Sequence, residues 1–158
     1  MLIRIDSSII GPLASKASVS SRKRMNFNFH TDPADPLQRM LHASDRGTYV
    51  QPHKHEDPDK REVFIILKGK AAAIEFNVEG TITDVVYLDH DAGIFGVEIS
   101  AGSWHSVVTL ADNTVLFEVK DGPYSPADDK YFAPWAPKEG DTGCAAYLEN
   151  ILSQIDRR

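Results

Sequence analysis

Apolar positions fall into two textures along the chain. From Thr48 onward they come in short runs broken by turn residues, and the runs over 48–53, 62–67, 70–78, 82–88, 94–99, 105–110 and 114–120 predict strands. Lys68-Gly69, Glu79-Gly80, Ala101-Gly102 and Asp112-Asn113 punctuate them. Strands this short, with turns this regular, argue for an all-β sandwich or barrel and against a βαβ layout. The flanks read differently. Residues 12–24 are weakly helical, with Leu13, Ala14 and Ala17 on one face. A second helix is expected from Asp35 as N-cap and Pro36 as first helical residue, with Leu37, Met40 and Leu41 sharing a face. Residues 122–141, rich in proline, aspartate and aromatics, predict an ordered loop. A helix then starts near Thr142, with Leu148, Ile151, Leu152 and Ile155 as the stripe that packs on the barrel or on a second subunit. The expected layout is one domain over 1–158: a helical extension to about 45, a barrel over about 46–121, and a loop and helix after it.

Composition narrows the function classes. With 42% hydrophobic and 25% charged residues, the 158-residue chain has the make-up of an ordinary globular domain. A formal net charge of -6 gives no general attraction to nucleic acid or to an anionic membrane, so neither is an expected partner. The basic run Arg22-Lys23-Arg24 is too short to change that and reads as a solvated helix end. Cys144 is the only cysteine, so no disulfide forms within the chain, and a reducing, cytoplasmic setting is the expectation. Charges interrupt the first residues before any signal-like apolar stretch develops.

The chemistry concentrates in His53-Lys54-His55. On a strand, residues two apart point the same way, so the two imidazoles can converge on one ion. Glu62 opens the next strand on the face shared by Phe64 and Ile66. A carboxylate leading an apolar face needs a partner, and a cation held by two imidazoles would supply one. Later, Gly102-Ser103-Trp104-His105 sets another histidine at a strand start after a tight turn.

Gly47, His53-x-His55, Glu62 and Gly69 resemble the first cupin motif, and Gly102-x-x-His105 resembles the core of the second. The resemblance implies a double-stranded β-helix, or jelly-roll, barrel with short flanking helices. It also implies one divalent metal ion held by His53, His55, Glu62 and His105. The run Glu56–Arg61 makes the His55-to-Glu62 gap longer than usual and could bring Glu56 or Asp57 near the site. Ser100 and Thr109 replace the proline and asparagine usual in the second motif. A closer similarity covers residues 35–141. It is carried by Asp35-Pro36-Leu37-Gln38-Arg39-Met40-Leu41, by the stretch 47–55, by 117–124 and by Phe132-Ala133-Pro134-Trp135-Ala136-Pro137. These resemble the WbuC family of cupin-fold metalloproteins, which is associated with bacterial surface-polysaccharide (O-antigen) gene clusters.

Three imidazoles and a carboxylate suit iron, manganese, zinc, nickel or cobalt alike. By parity Tyr49 and Gln51 join the histidine face and Phe64 and Ile66 join Glu62, as pocket walls for a small molecule or as plain barrel core. Lys120 and Tyr124 either orient an anionic substrate or are a surface lysine and a packed aromatic. Tyr131, Phe132 and Trp135 suit a packed segment, with homodimerisation the favoured use. His30, His42 and His90 read as surface or capping residues. The functional expectation is a metal-dependent isomerase or epimerase acting on a sugar derivative in surface-polysaccharide biosynthesis, with Glu62 as candidate base. An iron-dependent dioxygenase and a non-catalytic, metal-stabilised binding module are the alternatives.

Overall fold

The computed structural model describes residues 2–127 and 129–156. In chain order the elements are α1 (Ser7–Val19), β1 (Arg24–Asn28), β2 (Leu37–Ser44), β3 (His53–Lys54), β4 (Glu62–Lys68), β5 (Lys70–Phe76), β6 (Ile82–Asp89), β7 (Gly96–Ile99), β8 (Trp104–Thr109), β9 (Thr114–Asp121), β10 (Tyr131–Phe132) and α2 (Cys144–Ile155). Two five-stranded sheets result, ordered β1-β2-β9-β4-β7 and β10-β3-β8-β5-β6. Every pairing is antiparallel, and the sheets face each other as a jelly roll.

Strand alternation sorts the residues. Glu62 lies opposite Lys120, Phe64 opposite Glu118 and Ile66 opposite Leu116, while Gln38, Met40 and His42 of β2 face Lys120, Glu118 and Leu116 from the other side. All of these share the inner face of the first sheet. In the second sheet Ala71, Ala73 and Glu75 pair with Thr109, Val107 and His105, and His53 pairs with His105. The interior is therefore graded. Phe64, Ile66, Ala71, Leu88, Ile99 and Leu116 fill one part with apolar side chains. Charged and imidazole groups fill the other.

The helices cover the outside. Asp6 caps α1 by accepting the Ser8 N–H at 3.0 Å, and Leu13, Ala14 and Ala17 pack on Leu41, Ala43 and Val115. Leu148, Ile151 and Ile155 of α2 lie on Tyr49, Ala72, Ile74, Phe76, Ile82 and Val108 of the second sheet. Each fully buried leucine or isoleucine of this kind contributes roughly 1.5–3 kcal/mol of transfer free energy. The α2 stripe thus packs on its own barrel. Among the described residues, no helix is long and apolar enough to cross a membrane.

The structure corrects several expectations. The segment expected as a helix from Asp35 is a turn followed by β2: Asp35 Oδ1 accepts the Leu37 N–H at 3.0 Å, and the chain then runs extended. Its alternation was hidden because two of the inward positions, Gln38 and His42, are polar. The extension to residue 45 consequently holds β1 and β2 as well as α1, and α1 starts and ends earlier than the expected 12–24. The strand expected over 48–53 shrinks to β3, and the loop over 122–141 contributes β10. Arg22 and Arg24 follow the end of α1, Arg22 in an exposed position, and both bind Glu139, at 2.7 Å each.

Candidate metal centre

Four donors meet between the sheets. β3 supplies His53 and leads to His55, β8 supplies His105, and Glu62 opens β4 in the facing sheet. Their ligand atoms all lie within 4.8 Å of one another. His55 is 1% exposed and the other three are 3% exposed, so bulk water does not satisfy them.

The ring orientations are set by backbone carbonyls. Nδ1 of His53 donates to Gln51 O at 2.9 Å, Nδ1 of His105 to Ser103 O at 2.9 Å, and Nδ1 of His55 to Asp129 O. With Nδ1 carrying the proton, each Nε2 presents a lone pair. Nε2 of His55 lies 2.9 Å from Glu62 Oε1, and Nε2 of His105 lies 2.9 Å from Glu62 Oε2. Nε2 of His53 and of His105 are buried without an aligned hydrogen-bond partner. Lone pairs gathered around a carboxylate repel it, and a cation at their centre turns that repulsion into coordination. The donor set therefore fits a divalent ion. Burial, followed by the charges of Lys130 and His105, holds the His53 pKa well below the usual histidine range, so the ring stays neutral and able to ligate.

A buried charge network adjoins the donors. Asp129 accepts Lys60 Nζ on Oδ1 at 2.7 Å and Lys120 Nζ on Oδ2 at 2.8 Å. Lys120 Nζ is also 3.8 Å from Glu62 Oε1. Burial works against the Lys120 ammonium, yet the charges of Glu118, Glu62 and Asp129 raise its pKa above the normal lysine value. Further along the inner face, His42 Nε2 lies 2.6 Å from Glu118 Oε2. Residues 129–133 are fastened at this end: Ala133 N–H donates to Pro52 O at 2.9 Å, and β10 pairs with β3.

Not all of the expected pocket residues come to the site. Tyr49 donates its hydroxyl to Pro137 O at 2.7 Å and meets Tyr147 edge-on, so it anchors the C-terminal segment. Gln51 contacts Ala133 O and Glu139 N, which ties the same segment down. Phe64 and Ile66 are apolar core. Tyr124 is 42% exposed, and its ring lies 5.9 Å from Lys120 Nζ. Lys120 itself is interior, where a surface position was the other possibility. Glu56 turns away to pair with Lys54 at 2.8 Å. The long insertion instead contributes Lys60, which sequence reasoning missed together with Asp129, Lys130 and the His42–Glu118 pair. The alternation of β9 carried a usable signal, because it puts Glu118 and Lys120 on the face of Leu116. Of the remaining histidines, His30 accepts the Arg39 N–H at 3.0 Å, and His90 is exposed on the surface. A cavity of about 120 Å³ opens between β6 and β7, reaching His105 past Ala73, Val97, Glu75, Asp84 and Glu98.

Comparison with known proteins agrees with this architecture. CapF, a capsular polysaccharide assembling protein from Staphylococcus aureus, is 24% identical at a TM-score of 0.59, over 72% of this chain and 32% of CapF. The chain thus spans about a third of that protein. ChmJ, a 3'-monoepimerase from Streptomyces bikiniensis solved with dTDP-quinovose, is 21% identical at a TM-score of 0.52, over 60% of this chain and 50% of its own. A cupin superfamily protein from Desulfitobacterium hafniense is 16% identical at a TM-score of 0.50, covering 70% of this chain and 87% of that one. No curated protein matches. Residues 5–88 match the model of a domain of unknown function, DUF6016, which covers more than half of the chain. The chain belongs to the DUF6016 family and has the jelly-roll fold of the cupin superfamily.

Proposed function

We propose that this protein is a small metal-dependent enzyme of the isomerase or epimerase type, acting on a sugar derivative in surface-polysaccharide biosynthesis. The observation that carries the reading is the set of buried Nε2 lone pairs, each fixed by a backbone acceptor on Nδ1, converging on Glu62. A divalent ion bound there would act as a Lewis acid on a carbonyl oxygen and so acidify the neighbouring C–H. The sugar class draws support from the resemblance to the WbuC family and from the likeness to CapF and ChmJ.

Within this reading Glu62 is a ligand and not the base. Its two oxygens face Nε2 of His55 and Nε2 of His105 at 2.9 Å each, the position of a ligand. His42, whose Nε2 lies 2.6 Å from Glu118 Oε2, is the residue assigned to proton transfer.

The reading is tested by incubating metal-loaded protein in D2O with a panel of sugar nucleotides and sugar phosphates, followed by mass spectrometry. Incorporation of deuterium at a carbon beside a carbonyl, lost in His42→Ala with metal content unchanged, is expected. No exchange and no binding across the panel would contradict it.

A further inference from the structure

One row of residues crosses the inner face of the second sheet. His53 pairs with His105, His105 with Glu75 and Glu75 with Asp84, so β3, β8, β5 and β6 each add one side chain to it. Neighbouring positions fix the parity. Ala71 and Leu88, which alternate in step with Glu75 and Asp84, belong to the inner apolar cluster, whereas Ala72, Ile74 and Phe76 lie under α2. Adjacent strands are ~4.8 Å apart, so Glu75 stands one strand spacing from a metal donor and Asp84 two.

This row leads out of the barrel. Glu75 and Asp84 are exposed and line the cavity of about 120 Å³ between β6 and β7, together with the apolar Val86, Val97 and Ile99. The same cavity reaches His105, which is 3% exposed and whose Nε2 has no aligned hydrogen-bond partner. Glu98 stands only at the rim, because its pairing with Val63 puts it on the outer face of β7. On the β9 side of Glu62 the interior is filled instead: Lys60, Lys120 and Asp129 are each 5% exposed or less. Like charges directly opposite on adjacent strands repel. Yet none of the ion pairs among the described residues includes Glu75 or Asp84. The Thr83 hydroxyl donates to Glu75 at 3.4 Å and the Val85 N–H to Asp84 at 2.8 Å, which leaves acceptor capacity on both carboxylates. Such groups take hydrogen bonds from hydroxyls and repel anions. The volume lies well below the roughly 300–1,000 Å³ of pockets for drug-sized ligands, so the occupant is no larger than a monosaccharide unit.

Resting on the metal-enzyme reading above, we propose that this cavity is the sugar-ring subsite of the metal centre. An uncharged, hydroxyl-bearing ring enters between β6 and β7, with its C–H face on Val86 and Val97 and its hydroxyls donating to Glu75 and Asp84. Glu75 is the contact nearest the metal donors and sets the preference for hydroxyls.

The test uses full-length protein loaded with Co²⁺, whose visible spectrum reports ligation, with sugar affinity measured by calorimetry. The probes are D-glucose, the cationic D-glucosamine and the anionic D-glucuronate. Wild type is expected to bind glucose more tightly than either charged analogue. Glu75→Leu should weaken glucose at least ~10-fold, the scale of one charge-assisted hydrogen bond, with the cobalt spectrum intact. Glu75→Gln, which keeps an acceptor, should retain part of the affinity, and Glu79→Gln, outside the cavity, should retain all of it. No glucose binding, unchanged affinity in Glu75→Leu, or tighter binding of glucosamine or glucuronate would each overturn the proposal while leaving the metal reading standing. Absence of a histidine-ligated cobalt spectrum would overturn the metal reading itself.

Discussion

At Asp129 one residue serves both halves of the site: its carboxylate takes Lys60 and Lys120, and its backbone carbonyl takes the Nδ1–H of His55. Replacing it by asparagine removes the charge that two buried ammoniums share. Breaking a buried pair from one side costs roughly 3–5 kcal/mol, so Asp129→Asn should lower the urea-unfolding free energy by about 3 kcal/mol. The pH dependence has a definite sign. Burial raises the Asp129 pKa, but hydrogen bonds and charge from Lys120 and Lys60 bring it below the ordinary aspartate value. A carboxylate depressed in the folded state contributes stability above its unfolded pKa of about 3.9, lost as pH falls through the folded value. Urea midpoints measured from pH 6 to pH 2.5 should therefore fall below about pH 4 in wild type, with a shallower fall in Asp129→Asn. Equal slopes would show that the lysines do not bear on this carboxyl.

Elements were legible where one face of a strand or helix is apolar and the other is not. The strands around Phe64 and Ile66, and the helix carrying Leu148, Ile151 and Ile155, could be read from spacing alone. Ile151 is 3% exposed beneath α2, and Ile151→Ala should cost about 2–4 kcal/mol in thermal or urea unfolding. A change under about 0.5 kcal/mol would mean that α2 does not hold the second sheet. β2 was misread because its inner face is Gln38, Met40 and His42, so apolar counting picked out a helical spacing over Leu37, Met40 and Leu41 instead. β10 was too short to leave a pattern, and its place depends on pairing with a strand of two residues. The four metal donors were readable because the cupin-like spacing and strand parity agree. Lys60 was not, since nothing local to it marks it as facing the interior. Gly69 shows the opposite case, where one residue fixes an element boundary. At φ +78°, an added Cβ would lie 2.7 Å from Thr114 Cα. Gly69→Ala should accordingly lower the melting temperature by several degrees, by both strain and clash.

For the whole molecule, an ion bound by these donors would link the two sheets, because Glu62 belongs to one and His53 and His105 to the other. An ion that binds only the folded barrel stabilises it by mass action, about 2.7 kcal/mol at a free concentration a hundred times the dissociation constant. Chelation should therefore lower the melting temperature reversibly. The measurement that tests the account most directly is elemental analysis of protein purified without chelators, set beside the His53→Ala/His55→Ala double variant. The account predicts about one equivalent of a divalent transition metal in wild type and almost none in the variant, with the variant still folded by circular dichroism. Equal, negligible metal in both proteins, persisting after reconstitution with iron, manganese, zinc, nickel or cobalt, would contradict it.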